Sequence, residues 1–230
     1  MSLENAKVAI VIPLYNEEKV IQGVLEELQT MYPSYHIIVV DDCSSDKSYE
    51  KASLKGIYML KHIINLGQGA ALQTGLEYAL TIGCDYAITF DSDGQHNPYD
   101  IAPFVEALEN NEADIVLGSR FLGKTENMPT RKKYLLQASR IFTWLTTGLW
   151  LTDSHNGFRA IHISKYPNFK IIQNRMAHAS EIISIIKTLN MKYIEKPCEI
   201  RYTEYTIEKG QSMWNSINII LDYFTGSIMK

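Results

Sequence analysis

The chain predicts an α/β fold, a mixed and mostly parallel sheet flanked by helices on both faces. Three observations carry this. Short apolar runs alternate with stretches of helical period through the first half of the 230 residues, the pattern of repeated strand, helix and strand units. Runs such as residues 7–14 are apolar almost throughout, as strands covered on both faces are. Each polar motif of the first half directly follows a strand, where open α/β sheets bind ligands.

Residues 7–14 read as the first strand. Asn16 is expected to cap a helix on which Val20, Val24, Leu28 and Met31 recur at helical spacing. Residues 36–40 form a strand ending in Asp41-Asp42, and 57–60 form a third. Residues 66–80 read as a helix reached through Gly67 and Gly69, 86–90 as a strand, 99–110 as a helix and 114–117 as a strand. Beyond Arg120 come basic Arg131-Lys132-Lys133 and an aromatic-rich helical segment at 134–150. A strand at 157–163, a helix at 179–189, an edge strand at 191–202 interrupted by Pro197, and a terminal helix at 213–228 complete the reading. No internal repeat or long linker divides the chain, so residues 1–230 are expected to form one domain. Residues 1–120 would be its ligand-binding half and 121–230 its acceptor side.

Hydrophobic residues make up 46% and charged residues 21% of the chain, ordinary for a globular protein. A net charge of −4 gives no sign of nucleic-acid binding. Three widely spaced cysteines, Cys43, Cys84 and Cys198, form no Cys-x-x-Cys pair, which suits a reducing cytoplasm. No signal-peptide pattern opens the sequence, and the longest apolar stretches fall short of the roughly 20 residues needed to span a bilayer.

Residues 88–96, Ile-Thr-Phe-Asp-Ser-Asp-Gly-Gln-His, run from an apolar strand into two carboxylates one residue apart. Alternate side chains of an extended segment point the same way, so Asp91 and Asp93 can face one ligand. Two such carboxylates repel unless a cation neutralises them, and a hard divalent ion with oxygen ligands is the usual remedy. Mg²⁺ or Mn²⁺ together with a nucleoside diphosphate is the expectation; an Asp-rich turn that caps backbone groups is the alternative.

Four motifs, Ile12-Pro13-Leu14-Tyr15-Asn16-Glu17-Glu18, Val39-Val40-Asp41-Asp42-Cys43-Ser44-Ser45-Asp46, Asn65-Leu66-Gly67-Gln68-Gly69-Ala70-Ala71 and Phe90-Asp91-Ser92-Asp93-Gly94-Gln95-His96, resemble glycosyltransferase family 2 in order and spacing. Gly118-Ser119-Arg120-Phe121 and Asp153-Ser154-His155-Asn156-Gly157-Phe158-Arg159-Ala160 resemble the branch containing dolichyl-phosphate mannose synthase and bacterial polyprenyl-phosphate glycosyltransferases. The resemblance implies a GT-A fold. It also implies inverting, metal-dependent transfer of one sugar from a UDP- or GDP-sugar to a polyprenyl phosphate or lipid-linked glycan, in bacterial cell-surface polysaccharide or glycoconjugate synthesis.

Carried over position by position, the resemblance assigns Pro13, Tyr15 and Glu17 to the base and ribose and Asp42 to the base. It places Gly67, Gly69 and Ser92 at the donor, and Asp91, Asp93 and Gln95 at the metal. Arg120, Arg131, Arg159, Lys209 and Gln211 would hold phosphate or acceptor. Asp153 is the expected catalytic base, with Glu181 as its rival; a phosphate acceptor, already ionised, barely needs one. Cys43 departs from a position where the family often has Gly, and His155-Asn156 from a site where smaller residues are commoner.

A sugar nucleotidyltransferase is the enzymatic alternative, although the first loop lacks the Gly-rich, basic character of a triphosphate site. A catalytically silent subunit of a membrane glycosylation complex is the other. The basic cluster at 131–133 beside an apolar, aromatic segment suits peripheral contact with the inner face of the plasma membrane; packing of that segment into the core is the rival reading. A small membrane protein partner and a homo-oligomer are further expectations.

Overall fold

The computed structural model describes residues 6–123, 125–126, 140–141, 143–145 and 147–201. Its sheet is built outward from β1 (Val8–Leu14), all of whose residues are buried. Val8, Ile10, Ile12 and Leu14 enter one core and Ala9 and Val11 the other, which is why the run shows no polar alternation. β2 (His36–Asp41) and β4 (Tyr86–Thr89) flank β1 in parallel, and β3 (Tyr58–Lys61) extends beyond β2. β5 (Ile115–Ser119) pairs in parallel with β8 (Tyr193–Pro197), while β7 (Arg159–His162) runs antiparallel between β4 and β5. The order is β3-β2-β1-β4-β7-β5-β8, beside a separate two-stranded sheet of β6 (Thr125–Glu126) and β9 (Ile200–Arg201). Pro197 ends the edge strand, where a missing N–H costs least.

Helices cover both faces. α1 (Ile21–Met31), α2 (Ser48–Ala52) and α4 (Ile101–Glu109) pack on the first core, and α3 (Gln68–Thr81) and α5 (His178–Thr188) on the second. Two expectations change. The buried stripe of α1 is Ile21, Leu25 and Leu28, and Asn16 does not cap it. Instead the Glu17 carbonyl accepts the Val20 and Ile21 amides, a turn that leaves Asn16 outside capping reach. Asn16 adopts φ 54°, donates its amide to Ser44 Oγ at 3.0 Å and accepts the Ser45 amide at 2.8 Å, tying the loops after β1 and β2 together. α2 is also new: five residues are too few to display a period.

Arg140, Ile141, Thr143, Trp144, Leu145 and Thr147 are helical. The expected terminal helix at 213–228 lies outside the described residues. Among those described, no helix is long and apolar enough to cross a membrane.

The antiparallel insertion of β7 brings a further chain segment to the ligand-binding edge. β1, β2, β4 and β5 all end at one rim, and β7 begins there, with Arg159 in register with Thr89 and Leu117.

Candidate active site

Asp91 and Asp93 leave the end of β4 at this rim. The Asp91 side chain is 29% exposed; Oδ1 accepts Gln68 Nε2 at 2.9 Å and Oδ2 lies 3.0 Å from His96 Nε2. Burial raises its proton affinity, but the hydrogen bond and charge of His96, with Arg159 and His178 beyond, outweigh it and hold the carboxyl below its ordinary range. Asp93 is the opposite case. Burial and then the charge of Asp91 push it up to about 6, although its Oδ1 accepts the Gln95 amide at 3.0 Å. Ser92 is buried and Gln95 half-buried. Gly157 presses against Asp91: a Cβ there would meet Oδ2 at 2.6 Å.

The neighbouring strand ends are held by their own networks. Asp42 is buried, with Oδ1 facing His62 Nδ1 at 2.8 Å and accepting the Leu66 amide at 2.9 Å, while Oδ2 accepts the Gly67 amide at 2.7 Å. It therefore shapes the turn that delivers α3. Gly67 has φ 102°, and a side chain at Gly67 or Gly69 would collide with the Gln173–Asn174 backbone, so the close approach these glycines permit is to that segment. Pro13 is buried, Tyr15 is 48% exposed beyond it, and the buried Glu17 donates its amide to Ser48 Oγ at 2.7 Å. Cys43 takes φ 61°, the left-handed geometry that favours glycine, which explains why a glycine suits that position.

Asp153 is buried and paired. Its side chain is 1% exposed and forks onto Arg120, Oδ2 to Nε at 2.6 Å and Oδ1 to Nη2 at 2.7 Å, with the Arg120 amide 3.1 Å from Oδ2. Burial alone would raise its proton affinity, but the Arg120 charge and hydrogen bonds hold it below the carboxylate range. A carboxylate so committed is a weak proton acceptor. Glu181 is committed too: Oε2 accepts the Ile172 and Gln173 amides at 3.0 and 2.7 Å, bracing the segment that packs on Gly67 and Gly69. Asp153 and Glu181, the two expected candidates for a catalytic base, thus both have hydrogen-bond partners in the structure.

Arg159 is 1% exposed. Burial lowers it to about 10, still cationic at neutral pH, with Asp91 and Asp153 the nearby negative charges. Its Nη1 is buried with no hydrogen-bond partner among the described residues. Burial also lowers His155 and His178 to about 4, so both are neutral at pH 7. Asn156 donates to Cys198 Sγ at 2.9 Å and accepts the Phe158 amide at 3.0 Å, fixing the turn into β7. Arg131, Lys209 and Gln211 lie outside the described residues.

Comparison with known proteins decides the family. The family model described as Glycosyl transferase family 2 matches residues 9–195. The chain belongs to glycosyl transferase family 2. Over 225 residues this glycosyltransferase is 35% identical to a UDP-N-acetylglucosamine–dolichyl-phosphate N-acetylglucosaminyltransferase of Methanococcus voltae, covering 89% of each chain. Over 161 residues it is 32% identical to an undecaprenyl-phosphate mannosyltransferase of Micrococcus luteus, covering 67% of this chain and 65% of the relative. Its GT-A fold is shared with glucosyl-3-phosphoglycerate synthase of Mycobacterium tuberculosis, solved with Mn²⁺, UDP and phosphoglyceric acid. There the TM-score is 0.70 at 14% identity, over 96% of this chain and 78% of that one. Family membership sets aside the nucleotidyltransferase alternative.

The glycosyltransferase's own residues fit a hard divalent ion. Among the described residues no three His, Cys, Asp or Glu gather around one point. Mg²⁺ and Mn²⁺ sites, however, commonly use one or two carboxylates and complete themselves with water and substrate phosphate. Asp93, raised by burial and then by the charge of Asp91, would be favoured in its ionised form by the positive charge that such an ion supplies.

Several residues of the site carried no separate signal in the sequence. Gln68 and His96 lay inside the family motifs without a role of their own. Glu195 accepts the Thr152 amide at 2.8 Å, the Thr152 hydroxyl at 2.7 Å and the Asp153 amide at 3.1 Å. Nothing in the edge-strand pattern of β8 marks it out.

Proposed function

We propose that this glycosyltransferase moves one sugar, with inversion, from a UDP- or GDP-sugar to a polyprenyl phosphate, using Mg²⁺ or Mn²⁺ held by Asp91, Asp93 and Gln95. The observation that carries the acceptor class is that both candidate bases are engaged, Asp153 by Arg120 and Glu181 by backbone amides. A sugar hydroxyl acceptor calls for a base; a phosphate monoester, with a second pKa of about 6, is already ionised. The acceptors named for the Methanococcus and Micrococcus relatives are of the phosphate class, and the two organisms give no reason to restrict the reaction to a bacterial setting.

In this reaction an acceptor phosphate oxygen forms the new bond to the anomeric carbon as the bond from that carbon to the donor diphosphate breaks. The electron pair leaves with the nucleoside diphosphate. A bound metal supplies Lewis-acid stabilisation of that leaving group. Pro13, the exposed ring of Tyr15, Glu17 and the Asp42 loop hold base and ribose, and Ser92, Gly67 and Gly69 border the donor. Arg159 sets a positive field for the phosphates, and Arg120, with Arg131, Lys209 and Gln211 outside the described residues, completes the set of phosphate or acceptor contacts.

The acceptor's lipid places the enzyme at a membrane face. In the segment following the 131–133 basic cluster, Ile141, Trp144 and Leu145 are 53%, 45% and 70% exposed whereas Thr143 and Thr147 are buried, the reverse of a core helix. This supports peripheral contact with anionic lipid. A small membrane protein or a second copy of the chain are the alternative partners for that face.

The test offers UDP- and GDP-sugars with Mn²⁺, a short polyprenyl phosphate and the matching polyprenol, and reads the organic extract by mass spectrometry. A sugar phosphoprenol is expected from the phosphate and nothing from the alcohol. Transfer to the alcohol alone overturns the reading.

A further inference from the structure

We propose that His96, acting with Gln68 as a two-sided clamp, is a positioning residue that presets the Asp91 carboxylate for metal. This inference rests on the metal reading above. A carboxylate at a strand end turns freely about its side-chain bonds unless donors fix it. Here each oxygen has its own donor from a different element, Gln68 Nε2 from the first turn of α3 to Oδ1 at 2.9 Å, and His96 Nε2 from the loop after β4 to Oδ2 at 3.0 Å. A carboxylate only accepts, so both nitrogens donate, and each oxygen keeps a further acceptor direction for an ion. Gly157 closes the remaining side, since any Cβ there would press on Oδ2.

His96 is itself held in one place. Its side chain is 4% exposed, and its ring lies 5.4 Å from Phe90 and 5.3 Å from Phe158 between centroids. A β-bridge to Ile200 pins its backbone. Nδ1 is buried without a hydrogen-bond partner among the described residues, a cost that an apolar ring packed there would not carry. A phenylalanine or methionine would fill this aromatic pocket without it. The bond to Asp91 is what the imidazole supplies there and an apolar side chain does not. Outer partners of this kind orient metal ligands, and their loss weakens metal affinity roughly 10- to 100-fold.

The experiment is a Mn²⁺ titration of the purified, metal-free full chain, read from the free-ion electron paramagnetic resonance signal with UDP present and needing no turnover. His96→Phe should weaken Mn²⁺ about tenfold or more while the metal-free melting temperature stays at or above that of wild type. His96→Gln, whose amide nitrogen reaches the Nε2 position, should keep most of the affinity. Gln68→Met tests the other jaw away from the aromatic pocket and should weaken Mn²⁺ in the same direction. Wild-type affinity in His96→Phe or Gln68→Met, or equal losses in His96→Gln and His96→Phe, rejects the clamp. Absence of Mn²⁺ binding by wild type rejects instead the metal reading on which it stands.

Discussion

Asp153 and the Asp91–Asp93 pair occupy the same rim of the sheet, but their carboxylates meet different surroundings. Asp153 is enclosed by a bidentate arginine and a backbone amide, and its charge is matched inside the protein. At the end of β4 the Asp91 oxygens face a glutamine and a histidine and Asp93 a backbone amide, and Asp93 is pushed up to about 6. The same residue type thus meets a charged partner at one loop and uncharged or titratable donors at another, and the difference lies in which donors the fold brings within hydrogen-bond reach.

If Asp153 is scaffold, its removal should damage the fold before the chemistry. Asp153→Asn removes the carboxylate that forks onto the buried Arg120 and should cost about 3 kcal/mol of unfolding free energy, read by urea titration. The folded pKa of Asp153 lies below its ordinary value, and an unfolded Asp titrates at about 3.9. Its contribution is therefore complete above that pH and is lost as pH falls towards the depressed value. Wild type should accordingly lose stability below about pH 4 more steeply than the variant. An inactive Asp153→Asn of wild-type stability would restore the base role and erase the contrast.

Asp93→Asn sharpens the other side. Turnover with Mn²⁺ should fall about a hundredfold, and the thermal stabilisation given by UDP with Mn²⁺ should vanish, while the unliganded protein melts no lower than wild type because a repulsive charge is gone. Retention of metal-coupled stabilisation would mean that Asp93 is no ligand. The smallest effect is expected at Glu181. Glu181→Gln weakens its grip on the Ile172 and Gln173 amides, costing about 1 kcal/mol and leaving turnover within a few-fold. A stable but dead Glu181→Gln would return general-base chemistry, and with it a hydroxyl acceptor, to this enzyme.

Most of the fold was legible because burial on both faces of β1, β2 and β4 erases polar alternation, and because α3, α4 and α5 are long enough to show a period. The five residues of α2 were not. Asn16 misled because a capping residue type also suits a left-handed turn. At the site, the positions of Asp91 and Asp93 were readable from their spacing. The engagement of Asp153 and Glu181 was not, since their partners, Arg120 and the Ile172–Gln173 amides, are set by how loops meet.

The sequence by itself determined the α/β class and the strand ends that carry polar motifs, Asp91 and Asp93 among them, because periodicity and alternation are properties of neighbours along the chain. Only the tertiary structure decided that β7 runs antiparallel between β4 and β5, bringing Gly157 against Asp91 and burying Arg159 near Asp91 and Asp153. It alone decided that Asp153 is paired with Arg120 while burial and Asp91 raise Asp93. Charge matching depends on distances across the sheet, and no spacing along the chain encodes those.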